Sequence, residues 1–429
     1  MTSVESHLAG IVVVNEKYFP HSEKDPAHVG ATSFAHSVLR FLRQVELCAG
    51  ILLYKRDESL TEPLMHFEHR AGFLCAIMRF NFGMDDQAVS RCIAKASQRL
   101  LDAQDIRRPA MLYYQTDALL GFHPEELSAC VTHHGPFVSD FIGRFPAEET
   151  GQAFGDAVKA LHLLKYQELG LEKLRYSDRM FVLQHSHIQR RHLIDRGVDA
   201  RRIRAVRPPI PVLNSAETLQ GEKLCAFVTG AELLVFTAVA RLDYFKNIEL
   251  LVDASVQARQ RGIPLRMLIV GDEADNDVRR RQLLRRVPTE HLPSFMATSK
   301  LSKPQLHALF REVRHQGLFV CPSRYETLGI TPLEAALSGV CTLMTNSERV
   351  EAGRFFPATY RFEPSPAGLC GAIERIHYSD PGVQHMGKEL QGVISEQISE
   401  EKFERDALSA WGHFSDTAQE LTPTADLAT

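Results

Sequence analysis

The sequence predicts an α/β protein with two doubly wound, Rossmann-like domains, and three observations lead to this fold class. Short apolar runs alternate with amphipathic stretches, a pattern typical of strands separated by helices in βαβ units. A proline-rich segment interrupts this alternation near the middle of the chain, and a second alternating series follows it. The length of 429 residues suits two or three domains, since a domain takes about 100–200 residues.

The first alternating series predicts strands joined by helices. The apolar run GIVVV at residues 10–14 is typical of a buried strand. Further short strands are predicted at residues 111–115, 129–134 and 180–184. A turn at Gly30 leads into the helical segment TSFAHSVLRFLRQ, and a long helical stretch at residues 153–177 separates the last two strands.

The segment RPPIPVLNS, within residues 204–221, indicates a linker because proline breaks regular structure. After it, strands are predicted at residues 233–240, 265–271, 318–322 and 340–346, and helices at residues 247–262, 304–313 and 331–339. We therefore expect an N-terminal domain over 1–210, a C-terminal domain over 211–400, and a helical tail over 401–429 that packs back on the N-terminal domain. Ligands of such sheets bind beyond the carboxyl ends of the strands, so a cleft between the two domains is the expected site.

Composition, charge and missing motifs argue against several classes of protein. With 44% hydrophobic residues and a formal net charge of -4, the chain is globular and a poor general binder of nucleic acid. The eight cysteines show no C-x-x-C spacing, which indicates buried thiols in a reducing compartment and no zinc site. There is no signal-peptide pattern and no apolar run of the roughly 20 residues that cross a bilayer. We expect a cytoplasmic protein, with peripheral placement at the inner membrane face as the alternative.

The absence of two phosphate-binding patterns argues against two classes of enzyme. No G-x-G-x-x-G follows the first predicted strand, and no G-x-x-x-x-G-K-[ST] occurs in the chain. The first pattern is expected in a dinucleotide-dependent dehydrogenase and the second in a P-loop ATPase. The sequence therefore favours neither of these two enzyme classes.

The segment RYETLGITPLEAALSG, residues 324–339, is the most specific motif. It follows the strand-like LFVCPS and leads into a helix, with Glu326 and Glu334 on either side of Gly329. Gly329 allows close approach of the backbone, and the N-terminus of the next helix favours a negatively charged ligand. The two carboxylates can accept hydrogen bonds from a vicinal diol of a sugar or ribose. Two alternatives stay open: Glu334 forms a capping box with Thr331, and Glu326 is an ordinary loop carboxylate.

The segment TAVARLDYFKN, residues 237–247, carries two cations at the end of a predicted strand. Arg241 and Lys246 are close in sequence on one loop. A planar guanidinium and a point-like ammonium together suit a diphosphate, and they can stabilise a leaving diphosphate in place of a divalent metal. The alternative is a pair of solvated basic residues at the start of a helix.

With these motifs in order, the second half resembles the donor-binding domain of retaining glycosyltransferases with the GT-B fold, in the group 1 class, family 4. The matches are R-L-x-x-x-K-N at Arg241, Leu242, Lys246 and Asn247, V-G-D at Val270, Gly271 and Asp272, and E-x7-E with E-A-x-x-x-G at Glu326, Gly329, Glu334, Ala335 and Gly339. Each match alone is weak, and their order along the chain makes the set specific.

The resemblance implies a role for each matched residue. Arg241 and Lys246 hold the donor diphosphate and act in catalysis by stabilising its charge. Glu326 contacts the transferred sugar and is counted as catalytic, Glu334 contacts the ribose hydroxyls, and the nucleobase lies near residues 296–301. Backbone contacts to sugar and phosphate are implied for four consecutive residues: Leu328, Gly329, Ile330 and Thr331. The resemblance implies no metal and no other cofactor.

The first half matches the family less closely. The family has a Gly-rich loop after its first strand, and here HVGATSF supplies Gly30 as a donor-binding residue, with Ala31 where a second glycine is common. A simple strand-to-helix turn is the alternative. The family also has a histidine at the end of a strand, beside the acceptor, and VTHHGPF offers His133 and His134. His134 before Gly135 is the better match, and the resemblance implies that it is catalytic. The alternative is a hydrogen-bonded structural histidine.

Two segments depart from the family pattern, and one further segment is basic. RPPIP stands where the family has N-G-V-D, and TNSERVEAG, with Glu348 and Glu351, stands where the family often has a Gly-Gly turn. The arginine-rich segment RRRQLLRR, residues 279–286, is interpreted as a solvated helical face, with an anionic membrane or acceptor as the alternative partner.

We therefore expect a retaining, metal-independent glycosyltransferase that uses a nucleotide-diphosphate sugar. The acceptor is a small molecule, a lipid or a glycan, and the sequence does not specify which. The sequence also does not specify the oligomeric state of the protein. The first alternative is a non-catalytic relative that binds a nucleotide sugar or glycan as a partner subunit. The second is a glycosidase that uses Glu326 and Glu334 as its carboxylate pair, which requires roughly 5–10 Å between the carboxyl groups.

Overall fold

The computed structural model describes residues 7–19, 30–210 and 216–421. Contacts among these residues divide the chain into two compact units. One unit falls within Met1–Pro209 together with Glu401–Thr429, and the other within Ile210–Glu400. The C-terminal helix therefore belongs to the same unit as the N-terminal half of the chain.

The strands make one sheet in each unit. They are β1 (Ala9–Asn15), β2 (Cys48–Arg56), β3 (Leu64–Arg70), β4 (Phe73–Phe80), β5 (Ala110–Tyr114), β6 (Ser128–Val131), β7 (Met180–Gln184), β8 (Ile203–Ala205), β9 (Leu233–Ala238), β10 (Leu265–Val270), β11 (Phe295–Thr298), β12 (Gly317–Cys321), β13 (Cys341–Thr345) and β14 (Arg361–Phe362). The first sheet has the order β3-β4-β2-β1-β5-β6-β7-β8 and the second β11-β10-β9-β12-β13-β14. All neighbours pair in parallel except β3 with β4, which pair antiparallel.

Helices connect the parallel strands, as the crossover between such strands requires. They are α1 (Gly30–Gln44), α2 (Asp86–Asp102), α3 (Val138–Ile142), α4 (Ala147–Phe154), α5 (Ala157–Tyr176), α6 (His187–Asp195), α7 (Glu222–Thr229), α8 (Ile248–Gln260), α9 (Val278–Leu284), α10 (Lys303–Glu312), α11 (Ile330–Leu337), α12 (Pro366–His377), α13 (Gly382–Ser395) and α14 (Glu400–Glu420). Several begin at a side-chain cap; Ser302 Oγ, for example, accepts from Gln305 N at the start of α10.

The core strands were predictable because their side chains are buried on both faces. Every residue of β9 and β12 is buried, and such strands appear in a sequence as short continuous apolar runs. One prediction was wrong in detail, since the helix expected over 153–177 is divided at Gly155, which has φ 97°. The region of β2, β3, β4 and α2 received no prediction.

Helix α14 packs against the first sheet and contributes the single tryptophan of the chain. Trp411 Nε1 donates to the Leu8 carbonyl over 2.9 Å, and the Phe414 ring stacks on Phe181 at 4.7 Å between centroids. The RPPIP segment joins this contact, since the Arg207 side chain forms an ion pair with Asp406 on α14 over 2.5 Å. The rest of the RPPIPVLNS segment, residues 211–215, lies outside the described residues.

Candidate active site

The loop after β9 carries the two cations that the sequence predicts for a diphosphate. Arg241 is 78% exposed, and its guanidinium lies 3.3 Å from the carboxylate of Asp243. Lys246 is mostly buried and lies in a short turn before Asn247, which takes a left-handed conformation with φ 50° ahead of α8. The arginine is therefore open to solvent while the lysine is held within the protein.

Hydrogen bonds join this loop to the loop after β12. Asn247 Nδ2 donates to the Pro322 carbonyl over 3.1 Å, and the Arg324 backbone N–H donates to the Phe245 carbonyl over 2.8 Å. The Arg324 guanidinium donates to the Tyr244 carbonyl and lies 4.5 Å from the centre of the Tyr244 ring. Because β9 and β12 are neighbours, both loops leave the same edge of the sheet. The two motifs found in the sequence therefore form one structural unit.

The contact between Lys246 and Glu326 is the centre of this unit. Lys246 Nζ donates to Glu326 Oε1 over 2.5 Å, and Ser323 Oγ donates to the same oxygen over 2.8 Å. Burial lowers the pKa of Lys246, but the neighbouring carboxylates of Glu326 and Asp243 together raise it by more, so the ammonium stays charged. Both of these donors use Oε1, and a ligand hydroxyl can donate to Oε2.

Asp243 adds a negative charge that the sequence interpretation did not assign. Burial raises the pKa of Asp243, and although Lys246 and Arg241 act in the opposite direction, the net pKa stays above its ordinary value. Its Oδ1 is buried and, within the described ranges, has no hydrogen-bond partner. An arriving diphosphate would compete with Asp243 for Arg241 and with Glu326 for Lys246.

The V-G-D segment after β10 holds the cation loop in place. Asp272 Oδ1 accepts from the backbone N–H of Leu242 over 2.7 Å. The Arg280 guanidinium is buried and donates to the carbonyls of Gly271 and Glu273 over 3.0 and 2.9 Å. The interpretation of the arginine-rich segment as a solvated face is therefore wrong for Arg280, which orders the segment that contains Asp272.

Backbone hydrogen bonds pair Glu326 with the loop after β13, one of the two segments that depart from the family pattern. Glu326 N donates to the Arg349 carbonyl over 2.9 Å, and Glu351 N donates to the Glu326 carbonyl over 3.0 Å. The Glu351 carboxylate is buried and accepts from Arg354 over 2.7 Å, whereas Glu348 is exposed. The altered loop thus fixes the backbone that carries Glu326.

Helix α11 begins directly after Gly329, whose left-handed backbone conformation favours glycine. Gly329 has φ 85°, and a Cβ there would lie 2.7 Å from the Cβ of Ala352, so only glycine fits. The alternative of a capping box at Thr331 is wrong, because Gly329 occupies the N-cap position and no side chain caps the helix. Leu328 is buried beside this turn, and Ile330 and Thr331 are the first two residues of α11. Their contacts to sugar and phosphate stay a prediction.

Glu334 lies on α11 and is paired with a lysine that the sequence interpretation did not consider. Its side chain is 1% exposed, and Lys303 Nζ donates to its two carboxylate oxygens over 2.5 and 2.6 Å. Burial raises the pKa of Glu334, and Lys303 opposes this shift without cancelling it. The sequence could not reveal the pair, because Lys303 lies on α10 and belongs to none of the motifs.

In the first unit, His134 follows β6 and makes its contacts inside the protein. Its Nε2 lies 2.8 Å from Gln115 Oε1, and its ring stacks on that of His185 at 5.5 Å between centroids. Phe34 meets the His134 ring edge-on at 5.1 Å. Burial lowers the pKa of His134 to about 4, so the imidazole is neutral at pH 7. Its predicted catalytic role is not tested by these contacts.

The neighbouring His133 has the hydrogen-bond geometry of a positioned acid–base group. Its Nδ1 lies 2.6 Å from Asp117 Oδ1, and Gln167 donates to Asp117 Oδ2 over 3.0 Å. Burial raises the pKa of Asp117, but His133 and these hydrogen bonds lower it by more. His133 is 1% exposed, and its Nε2 has no partner among the residues that the structure describes. The signal was available in the sequence, because polar residues follow two strands that prove to be neighbours, β5 and β6.

The remaining predictions concern Gly30 and bound metals. Gly30 is the first residue of α1, and the loop over 20–29 that precedes it lies outside the described residues. Within the described ranges, no group of three or more His, Cys, Asp or Glu side chains is placed to hold a metal ion. In the same ranges, no helix has the length and apolar composition needed to cross a membrane.

With this geometry established, comparison with known proteins identifies the second unit. A family model described as glycosyl transferases group 1 matches residues 229–352. These residues include the loop with Arg241 and Lys246 and the loop with Glu326. We refer to this matched part of the chain, residues 229–352, as the group 1 domain. A curated relative, the "Putative glycosyltransferase EpsF" of Bacillus subtilis (strain 168), is 26% identical over 182 residues, which cover 40% of this chain and 41% of that protein. The match with this relative thus spans less than half of its length.

Solved structures extend the likeness from the group 1 domain to the fold of the chain. The α,α-trehalose 6-phosphate synthase from Burkholderia multivorans has a TM-score of 0.65 at 11% identity and covers 96% of this chain and 100% of that one. A structure described as "Trehalose-6-phosphate from E. coli bound with UDP-2-fluoro glucose" has a TM-score of 0.64 at 13% identity, with coverage of 94% and 98%. The fold is GT-B, and the predicted fold class is confirmed.

Proposed function

We propose that the protein is a retaining, metal-independent glycosyltransferase that moves a sugar from a nucleotide-diphosphate sugar to an acceptor. The observation that carries this proposal is the contact between Lys246 and Glu326, because it joins the predicted diphosphate cation to the predicted sugar carboxylate. Both residues lie in the group 1 domain, on loops that leave one edge of its sheet. The E. coli relative described with UDP-2-fluoro glucose supports a nucleotide sugar as the donor.

In the proposed reaction, the acceptor oxygen attacks the anomeric carbon on the face from which the diphosphate departs. The bond from that carbon to the phosphate oxygen breaks, and the leaving phosphate oxygen takes the acceptor proton. Arg241 and Lys246 stabilise the charge that develops on the diphosphate, a contribution largest where charge appears only in the transition state. Glu326 Oε2 accepts a hydrogen bond from a hydroxyl of the transferred sugar.

We propose that the first unit provides the acceptor side of the reaction and that the protein acts in the cytoplasm. We assign two polar groups of the first unit to the acceptor reaction. They are the predicted His134 and the neighbouring dyad of His133 and Asp117. The acceptor class stays open between a small molecule, a lipid and a glycan. Burial raises the pKa of Cys75 and Cys341 to about 12, and such inert thiols suit the cytoplasm that we propose.

Nucleotide binding tests the proposal directly. A thermal-shift screen of the wild-type protein with UDP, ADP and GDP and their sugars should show stabilisation by at least one diphosphate. Replacing both cations, Arg241→Ala with Lys246→Ala, should weaken that binding at least about tenfold, since each ionic hydrogen bond contributes about 1.5–3 kcal/mol. Turnover of the bound nucleotide sugar, by transfer or slow hydrolysis, should fall further than binding.

A matched double variant controls for the loss of two positive charges. Arg261 and Arg286 lie in the same unit and form exposed ion pairs with Glu374 and Asp253. Changing both to alanine should leave nucleotide binding within about twofold, because such surface pairs contribute little. Equal binding by the Arg241→Ala, Lys246→Ala variant and the wild type would contradict the diphosphate assignment. Binding without any turnover would favour the non-catalytic partner subunit.

A further inference from the structure

Within the group 1 domain, Glu334 of the E-x7-E motif forms an ion pair with Lys303, which lies outside the shared motifs. Glu334 is almost fully buried, and the Lys303 ammonium donates to both of its carboxylate oxygens over 2.5 and 2.6 Å. Lys303 is the first residue of α10, whose start is capped by Ser302. The backbone that carries the ammonium therefore belongs to a capped helix end.

Lys303 supplies the positive charge that opposes protonation of this buried carboxylate. A carboxylate in an apolar site takes up a proton unless an opposite charge stabilises the anion. His307, one turn along α10, is buried, and burial together with Lys303 lowers its pKa to about 4. The imidazole is neutral at pH 7, so Lys303 provides the charge that Glu334 needs.

Hydrogen-bond geometry leaves this carboxylate able to bind a diol. An ionised carboxylate has two oxygens with about four lone-pair sites, and an ammonium has three donors and no acceptor. Lys303 uses one site on each Glu334 oxygen. One site on each oxygen remains, and the two together match the pair of hydroxyls of a ribose.

We propose that Lys303 is a positioning residue for the donor nucleotide, which it serves by fixing the buried Glu334 as an anion aimed at the ribose 2′- and 3′-hydroxyls. This inference rests on the proposed function, because it needs a ribonucleotide in the group 1 domain. Lys303 makes the site selective for ribose, since a nucleotide that lacks one hydroxyl leaves the second acceptor site of a buried Glu334 oxygen unmatched. Such an unmatched buried acceptor is what gives polar sites their discrimination.

The experiment measures discrimination between ribose and deoxyribose. Dissociation constants of UDP, ADP and GDP, each with its 2′-deoxy counterpart, are determined by calorimetry for the wild type, Lys303→Met, Lys303→Arg and the double variant Lys303→Met, Glu334→Gln. The wild type should prefer the ribonucleotide by about ten- to hundredfold, the usual effect of a hydrogen bond to a charged group. Lys303→Met should reduce that preference below about threefold by weakening only the ribonucleotide, and Lys303→Arg should restore most of it.

The double variant keeps the test valid if Lys303→Met fails to fold. It removes both charges together, and a neutral pair of similar size is tolerated far better than one unpaired buried charge. It should fold and bind both nucleotides with nearly equal affinity. Equal weakening of the ribo and deoxyribo forms in Lys303→Met, or a preserved preference in either variant, would overturn the inference and leave the proposed function intact. Absence of any nucleotide binding by the wild type would instead overturn the proposed function.

Discussion

At the scale of single residues, Glu326 shows how one carboxylate serves two partners. Its Oε1 accepts from Lys246 Nζ and from Ser323 Oγ, which fixes the side chain before any ligand binds. The same contact neutralises part of the Lys246 charge that a diphosphate would need. The contact between Lys246 and Glu326 therefore has to weaken when the donor binds. Removing the charge of Glu326 should thus favour binding of the diphosphate.

Glu326→Gln should separate binding of the nucleotide from transfer of the sugar. The amide oxygen can still accept from Lys246, but the amide nitrogen in place of Oε2 can no longer accept from a sugar hydroxyl. We expect the nucleoside diphosphate to bind as tightly as in the wild type or several-fold more tightly, while turnover of the nucleotide sugar falls about 10²-fold. Calorimetry and a product assay measure the two effects, and weaker binding of the diphosphate alone would contradict the argument.

At the scale of elements, the site depends on loops that hold one another at the carboxyl edge of the second sheet. Asp272 binds the backbone of the cation loop, and Arg280 on α9 orders the segment that contains Asp272. A residue with no ligand contact thus controls the position of residues that would have one. This arrangement predicts a sharp difference between two neighbouring arginines of the same helix.

Arg280→Met should loosen the cation loop, and Arg281→Met should not. Arg280 is buried and donates to the Gly271 carbonyl, so its loss removes that donor at a cost of about 1–3 kcal/mol. Arg281 is 63% exposed and pairs with Asp277 on the surface. We expect lower stability and several-fold weaker binding of the diphosphate for Arg280→Met alone, measured by urea denaturation and calorimetry. The same change in both variants would show that Arg280 does not order the loop.

At the scale of the whole molecule, the sequence predicted strands and loops that have a local pattern of residues. It missed contacts between residues that are far apart in the chain. The buried strands β9 and β12 were found because their apolar runs are short and uninterrupted, and the order of the loop motifs then located the candidate donor site. Strand β3 was missed because its residues, LMHFEHR, are all exposed or half-exposed except the last and give no apolar run. The pairing of Lys303 with Glu334 was invisible because it joins two helices that no sequence pattern connects.

The return of the chain to its first unit gives a prediction about stability. Helix α14 follows the second unit in sequence but places Trp411, only 1% exposed, against the first sheet. Gly10 on β1 makes room for it, because a Cβ there would lie 3.1 Å from the Trp411 ring. Trp411→Ala should lower the free energy of unfolding of this unit by about 3–5 kcal/mol, the usual cost of emptying such a site.

The two units should respond differently to this substitution. All the residues that we assign to the diphosphate lie in the other unit, so added diphosphate should still stabilise the Trp411→Ala protein. Denaturation followed by circular dichroism measures both effects, since the variant has lost the only tryptophan that fluorescence could follow. Tyr378→Ala is the control, because this side chain is 72% exposed and its loss should change stability by less than about 0.5 kcal/mol. A Trp411→Ala protein as stable as the control would show that α14 contributes little to the first unit, and loss of diphosphate binding would show that the donor site depends on that unit as well.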